Sequence, residues 1–206
     1  RAMIAIIDYK TGNLGSIRNM LKKIGNTSII TSDLSEISKA TKLILPGVGA
    51  YDNGVQKLKE AGLWELLNRK VLEEKTPILG ICLGAQLMTS GSEEGVEKGF
   101  GWVHGHTIKF KIDKSSKLKV PNMGWNKVFL TKESDLFHEM HDDPRFYFVH
   151  SYHFDFDRKE EILTNTEYSY PFVSSFERDN VLGVQFHPEK SHKFGMKLLK
   201  NFAERY

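Results

Sequence analysis

An internal disulfide is excluded in this chain of 206 residues, because it holds one cysteine, Cys82. The same count removes any CxxC metal site. A lone thiol suits a reducing compartment such as the cytosol, and it is either inert filler or a nucleophile. Long apolar runs are missing too, and none approaches the roughly 18–20 residues of a membrane helix. Arg1–Ile7 is too short for a signal peptide and runs straight into Asp8, while Arg1 and Ala2 precede Met3 and read as additions before a native start. There is no internal repeat or low-complexity stretch. Charge of one sign is scarce: 29 basic against 26 acidic residues leave +3, which argues little for nucleic-acid binding. Only Lys109, Lys111, Lys114, Lys117 and Lys119 cluster, as a solvated loop or sheet edge or, less simply, a partner surface. Hydrophobic residues at 40% and charged ones at 27% are ordinary globular usage and exclude a disordered chain, and the length suits a single domain over 1–206.

Short apolar runs alternate with helical spacing in the first half. Met3 to Ile7 reads as a buried strand, and Leu14, Ile17, Leu21 and Ile24 lie at helical intervals up to a stop at Gly25. Thr27–Thr31, Leu43–Leu45 and Pro77–Ile81 read as further strands, with helical stretches over about 54–72, broken at Gly62, and from Leu83 to Met88. This order predicts an α/β fold: a mostly parallel sheet covered by helices on both faces. The second half alternates with period two. Strands are expected at 145–149, 172–176 and 181–186, with a hairpin turn at Asp179-Asn180, and a closing helix at 193–206 with Phe194, Leu198, Leu199 and Phe202 inward. A mixed or antiparallel extension of the sheet follows.

The cysteine sits in Gly80-Ile81-Cys82-Leu83-Gly84, between an expected strand and an expected helix. That is the pattern of a nucleophile elbow, in which glycines flank a side chain projecting from a tight turn. The helix N-terminus would favour thiolate, and the Leu83 N–H would stabilise an oxyanion. A buried inert cysteine is the competing reading. A nucleophile needs a base and an orienter. His187-Pro188-Glu189 follows the last strand, so His187 can act as base with Glu189 on its imidazole. Pro46-Gly47-Val48-Gly49 follows the third strand, on the edge where open α/β sheets bind ligands, and offers a second oxyanion N–H or is an ordinary turn. Neither GxGxxG nor GxxxxGK[ST] is present, so no nucleotide site is expected. The close histidine pairs 104/106, 138/141 and 150/153 lack supporting carboxylate spacing, and no metal site is expected.

Taken together, Pro46-Gly47-Val48-Gly49, Gly80-Ile81-Cys82-Leu83-Gly84-Ala85-Gln86 and His187-Pro188-Glu189 resemble the class I, triad-type glutamine amidotransferases. Ile7-Asp8-Tyr9, Gly12-Asn13-Leu14, Pro121 to Asn126, Tyr147 to Tyr152 and Lys190-Ser191 narrow the resemblance to the glutaminase subunits of imidazole glycerol phosphate synthases, over nearly the whole chain. The resemblance implies catalysis by Cys82, His187 and Glu189, without a cofactor. It implies oxyanion and glutamine contacts from Val48, Gly49, Leu83, Gln86, Glu94 and Ser151, with Glu94 on the substrate ammonium; a solvated acid beside Glu93 is the bland alternative. It also implies a cytoplasmic heterodimer in which ammonia passes to a (β/α)8-barrel cyclase partner in histidine biosynthesis. The partner-facing residues would be Asn122, Met123, Trp125, Tyr147, His150 and Lys190, although Trp125 reads equally as core.

Two positions depart from the family pattern. Lys10 stands where the first loop usually has glycine, and Asn122 stands where histidine is common. Paralogous glutaminases supply ammonia to a partner that amidinates a surface-polysaccharide sugar, and their catalytic residues are the same. The changed loop therefore bears on the acceptor, not on the glutaminase chemistry. A peptidase or chaperone-like relative, or a binding protein that kept the fold, fits the motifs less well.

Overall fold

The computed structural model describes residues 3–206, and Arg1 and Ala2 lie outside it. Its main sheet runs in the order β2-β1-β3-β4-β12-β11-β10-β7. The strands β1 (Ile4–Ile7), β2 (Ser28–Thr31), β3 (Lys42–Leu45) and β4 (Ile78–Ile81) are parallel, and β12 (Val181–Val184) joins β4 in parallel. β1, β3, β4 and β12 are buried at every position, as continuous apolar runs covered on both faces should be. Beyond β12 the sheet turns antiparallel through β11 (Tyr170–Arg178), β10 (Ile162–Tyr168) and β7 (Phe129–Leu130). β9 (Tyr152–Phe156) pairs with β11 at one position and carries β5 (Gly105–Lys109) along its other edge. β6 (Asn122–Lys127) and β8 (Arg145–His150) form a separate two-stranded ribbon. This is the mixed α/β fold expected from the sequence.

Helix α1 (Leu14–Lys23) packs Ile17 and Leu21 inward and ends before Gly25, which has φ +89°. The expected helix over 54–72 is two helices, α3 (Tyr51–Glu60) and α4 (Leu63–Asn68), separated at the left-handed Gly62 and followed by a π-helical turn at Arg69–Glu73. Helix α2 (Leu34–Lys39) was not foreseen. Its signal is the cap: Asp33 accepts from the Glu36 N–H at 2.9 Å. The helix after the cysteine, α5, is a single turn (Leu83–Gln86), shorter than expected, so its dipole at the thiol is small. Helix α6 (His192–Arg205) buries Phe194, Leu198, Leu199 and Phe202. The 179–180 hairpin joins β11 to β12, with Asp179 at φ +53°. β9 and β10 were also missed. β10 alternates imperfectly, because a register shift near Thr164 puts consecutive residues inside.

The lysine cluster is on the surface, as both of its readings require. Lys109, Lys111, Lys114, Lys117 and Lys119 are all exposed, on the end of β5 and the loop after it. The histidines divide among separate partners: His104 Nδ1 meets Glu161 at 2.6 Å, His106 Nδ1 meets the Ser90 hydroxyl at 2.9 Å, and His153 Nε2 meets the Tyr170 hydroxyl at 2.8 Å.

Candidate active site

β4 delivers Cys82 at its carboxyl end, and the backbone there is strained. Cys82 has φ +55° and ψ −113°, a region that L residues rarely occupy. The flanking glycines explain how the strain is tolerated. A Cβ on Gly80 would press on the Ala85 backbone, and one on Gly84 would overlap the Leu45 carbonyl oxygen. The turn can therefore tuck beneath the end of β3 only with glycine at both places.

His187 arrives from the adjacent strand, just past β12. Its N–H donates to the Tyr147 carbonyl at 2.9 Å, and the Ser191 hydroxyl donates to its carbonyl at 2.5 Å. The buried Ser191 oxygen also accepts from the Tyr147 N–H at 3.0 Å, so one hydroxyl ties the His187 turn to β8. Gly195 lets α6 close over that turn, because a Cβ there would overlap the Pro188 carbonyl oxygen. His187 Nδ1 donates to Glu189 Oε2 at 2.9 Å. Its Nε2 is buried and makes no hydrogen bond of ordinary geometry within the protein. Burial opposes charging of the ring. The Cys82 sulfur and the Glu189 carboxylate outweigh it and push the imidazole up to about 10. The arrangement favours imidazolium beside the sulfur.

A cleft of about 500 Å³ opens over the sulfur. Val48, Gly49, Cys82, Leu83, Gln86, Glu94 and Ser151 all line it, so residues more than a hundred positions apart converge as the motifs suggested. Glu94 reaches the site by bonding the first N–H of α3, from Tyr51 to Oε1 at 2.9 Å. Asp52 holds the loop that carries it, accepting from the N–H groups of Val96 and Glu97 at 2.9 Å each. Glu93 points elsewhere and accepts from the Lys109 N–H at 2.9 Å. Asp52 escaped the sequence reading, and Ser191 entered it only within a resemblance motif, with no role assigned. A helix first-turn aspartate and a serine near a helix start are common, and only the fold shows what they hold.

Neither expected oxyanion donor is free. The Leu83 N–H donates to the Gly47 carbonyl at 3.1 Å, and the Val48 N–H donates to the Thr11 hydroxyl at 2.8 Å. The Thr11 hydroxyl in turn donates to the Val48 carbonyl at 2.9 Å, so one side chain clips both polar groups of Val48. Tyr9 closes the other side, donating to the Pro46 carbonyl at 2.5 Å, with its hydroxyl filling the space a Gly47 side chain would need. Gly47 and Gly49 have φ +156° and +106°. Turning the Gly47–Val48 peptide would withdraw the carbonyl from Leu83 and aim the Val48 N–H in its place.

The six expected partner-facing residues separate into two groups. In the β6–β8 ladder Asn122 lies opposite His150, and Trp125 opposite Tyr147. Side chains alternate along each strand, so a contiguous motif cannot face one way. Asn122 is 1% exposed and His150 6%, which corrects the expectation that they face a partner. Asn122 Nδ2 instead donates to His150 Nε2 at 3.1 Å, beneath the cleft. Met123 and Trp125 are 63% and 43% exposed, which removes the core reading of Trp125. Trp125 meets the Tyr147 ring edge-on at 6.3 Å, and Lys190 lies over that ring at 6.0 Å.

With the geometry in place, comparison with known proteins decides the family. The family model for glutamine amidotransferase class-I matches residues 5–205. The chain belongs to that family. It is 56% identical over 203 residues to "Imidazole glycerol phosphate synthase subunit HisH 2" of Methanococcus maripaludis, covering 98% of this chain and all of that one. It is 45% identical to the protein of the same name in Pseudomonas aeruginosa, over 98% of this chain and 99% of that one. A solved glutamine amidotransferase from Thermotoga maritima superposes with a TM-score of 0.65 at 20% identity, over the whole of this chain and 82% of that one. The glutaminase domain of Trypanosoma brucei CTPS with bound acivicin gives 0.66 at 16%, over 98% of this chain and 93% of that one. These two show the shared fold.

Proposed function

We propose that this class I amidotransferase is the glutaminase subunit of an imidazole glycerol phosphate synthase in histidine biosynthesis, a single-domain cytoplasmic chain working as a heterodimer with a (β/α)8-barrel cyclase. The observation that carries the chemistry is the cleft itself, with a strained thiol at its floor, a buried His187–Glu189 pair beside it and two backbone N–H groups within one peptide turn of it.

Glutamine would lie in the cleft with its ammonium toward Glu94 and its carboxylate toward the backbone around Ser151. The Cys82 thiolate attacks the side-chain amide carbon, forming a C–S bond and placing negative charge on the amide oxygen. The N–H groups of Leu83 and Val48 bind that oxygen once the Gly47–Val48 peptide has turned. His187 Nε2–H then protonates the nitrogen, the C–N bond breaks and ammonia leaves. The neutral imidazole takes a proton from water as the water attacks the thioester, which releases glutamate and restores thiolate and imidazolium. Glu189 keeps the ring oriented throughout.

Met123, Trp125, Tyr147 and Lys190 supply the exposed face for the cyclase, with Trp125 as aromatic anchor. A second reading, ammonia supply to a partner that amidinates a surface-polysaccharide sugar, draws on Lys10. That residue holds a left-handed φ of +68° in the loop that carries Thr11, and its carbonyl accepts from Lys57 Nζ at 3.2 Å. The test is glutamate release from glutamine by the chain alone, then with the histidine-pathway cyclase and its nucleotide ligand. Strong stimulation, abolished in Cys82→Ala, supports the first reading. No stimulation with an alkylatable Cys82 supports the second.

A further inference from the structure

Gln185 lies between β12 and the catalytic histidine and has no part in the reaction as described above. It is completely buried, in a wall made mostly of apolar side chains. A buried amide needs partners for both ends, and Gln185 finds them in two functional groups. Its Nε2 lies 3.6 Å from Cys82 Sγ, and its Oε1 accepts from Gln86 Nε2 at 3.0 Å. Gln185 and His187, two residues apart just past β12, both reach the sulfur.

Which end of the amide faces the sulfur is fixed by a chain of bonds. Gln86 Nε2 also reaches the Tyr152 carbonyl at 3.4 Å. A carbonyl can only accept, so the NH2 of Gln86 points toward both Tyr152 and Gln185, which turns the oxygen of Gln185 to Gln86 and its NH2 to the sulfur. The Tyr152 carbonyl is held in turn by His150 Nδ1 at 2.8 Å. That makes His150 Nε2 an acceptor, filled by Asn122 Nδ2 at 3.1 Å, and Asn122 Oδ1 accepts from Asn126 Nδ2 at 3.1 Å. Every donor in the series faces an acceptor.

We propose that Gln185 is a further catalytic residue, whose side-chain N–H stabilises the Cys82 thiolate from within the protein interior while Gln86 holds its amide in place. A thiol accepts an N–H bond weakly and a thiolate strongly, so the contact favours the ionised nucleophile and any thiolate regenerated when the thioester is hydrolysed. Gln86 then has two tasks: its NH2 locks Gln185, and its oxygen remains for substrate in the cleft.

This inference rests on the glutaminase reading only in taking Cys82 as the nucleophile. Because Cys82 is the sole cysteine, alkylation by iodoacetamide reports on it alone. The experiment measures the pH dependence of that rate in the full chain, for the native protein, Gln185→Met and Gln185→Leu, beside kcat and KM for glutamate release. Met matches Gln in length and Leu provides a second shape, with circular dichroism reporting folding. The expected result is an alkylation midpoint about one pH unit higher in both variants, with kcat about tenfold lower and KM changed by less than about twofold. An unchanged midpoint in folded variants overturns the proposal. If native protein releases no glutamate under any condition while the midpoint still moves, the glutaminase reading fails and the role of Gln185 at the thiol stands.

Discussion

The two oxyanion-side elements of the site, the loop after β3 and the elbow after β4, lie on neighbouring parallel strands and differ in what holds them. The elbow is fixed. Cys82 keeps φ +55° because Gly80 and Gly84 let the turn pack against Ala85 and the Leu45 carbonyl, where nothing larger fits. The loop is latched. Val48 is held through two hydrogen bonds to the Thr11 hydroxyl, and the Gly47 carbonyl sits on the Leu83 N–H. Steric exclusion leaves no alternative, whereas a latch of a few hydrogen bonds worth about 1 kcal/mol each can be exchanged for others at small cost. In the proposed mechanism the nucleophile is set by the elbow, while the two oxyanion donors, Leu83 on the elbow and Val48 on the loop, become free only when the loop turns.

Predictions sharpen that contrast. On the fixed side, Glu189→Gln removes the charge that holds His187 as imidazolium, and glutamate release at saturating glutamine should fall by about 10²–10³-fold. Gly84→Ala should collapse the elbow by forcing a methyl group against the Leu45 carbonyl. A loss of about 3 kcal/mol in a denaturant titration is expected, where the same change at the open Gly15 should cost little. An effect spread over pH tests a buried histidine that lines the cleft. His150 is driven down to about 3, first by burial and then by His153 and His187, despite its bond to Tyr152. Its ordinary value is 6.5, so the unfolded chain takes up a proton there that the folded chain refuses. Its contribution is therefore complete above pH 6.5 and is lost as the pH falls from there toward 3, by about 1.4 kcal/mol per unit. The Tm should fall over this window, and less steeply in His150→Gln.

Much of the parallel half was legible because its signals are local. A buried strand is a short apolar run, the elbow is five consecutive residues, and His187-Pro188-Glu189 is a single turn. The second half was harder to read. β9 and β10 depend on pairing with β11, and a register shift at Thr164 blurs their alternation. The ribbon of β6 and β8 shows the limit most clearly. Asn122, Met123 and Trp125 were read as one partner-facing motif, but the pleat sends Asn122 inward to His150 and the other two outward. The Thr11 latch and the Gln185 amide were invisible because each joins residues 37 or 103 positions apart and neither residue type signals a role by itself.

The most direct test of a ready nucleophile behind a latched loop is a paired measurement on the chain without its partner, in native protein and in Thr11→Val. One rate is alkylation of Cys82, which needs only the thiolate; the other is glutamate release, which needs the oxyanion donors as well. Valine keeps the shape and removes the hydroxyl, leaving both polar groups of Val48 without their partner. Unequal responses are predicted: the same alkylation rate and turnover faster by about tenfold, as loss of one to two hydrogen bonds implies. Turnover unchanged by the substitution, or both rates moving together, would contradict the separation of nucleophile from latch.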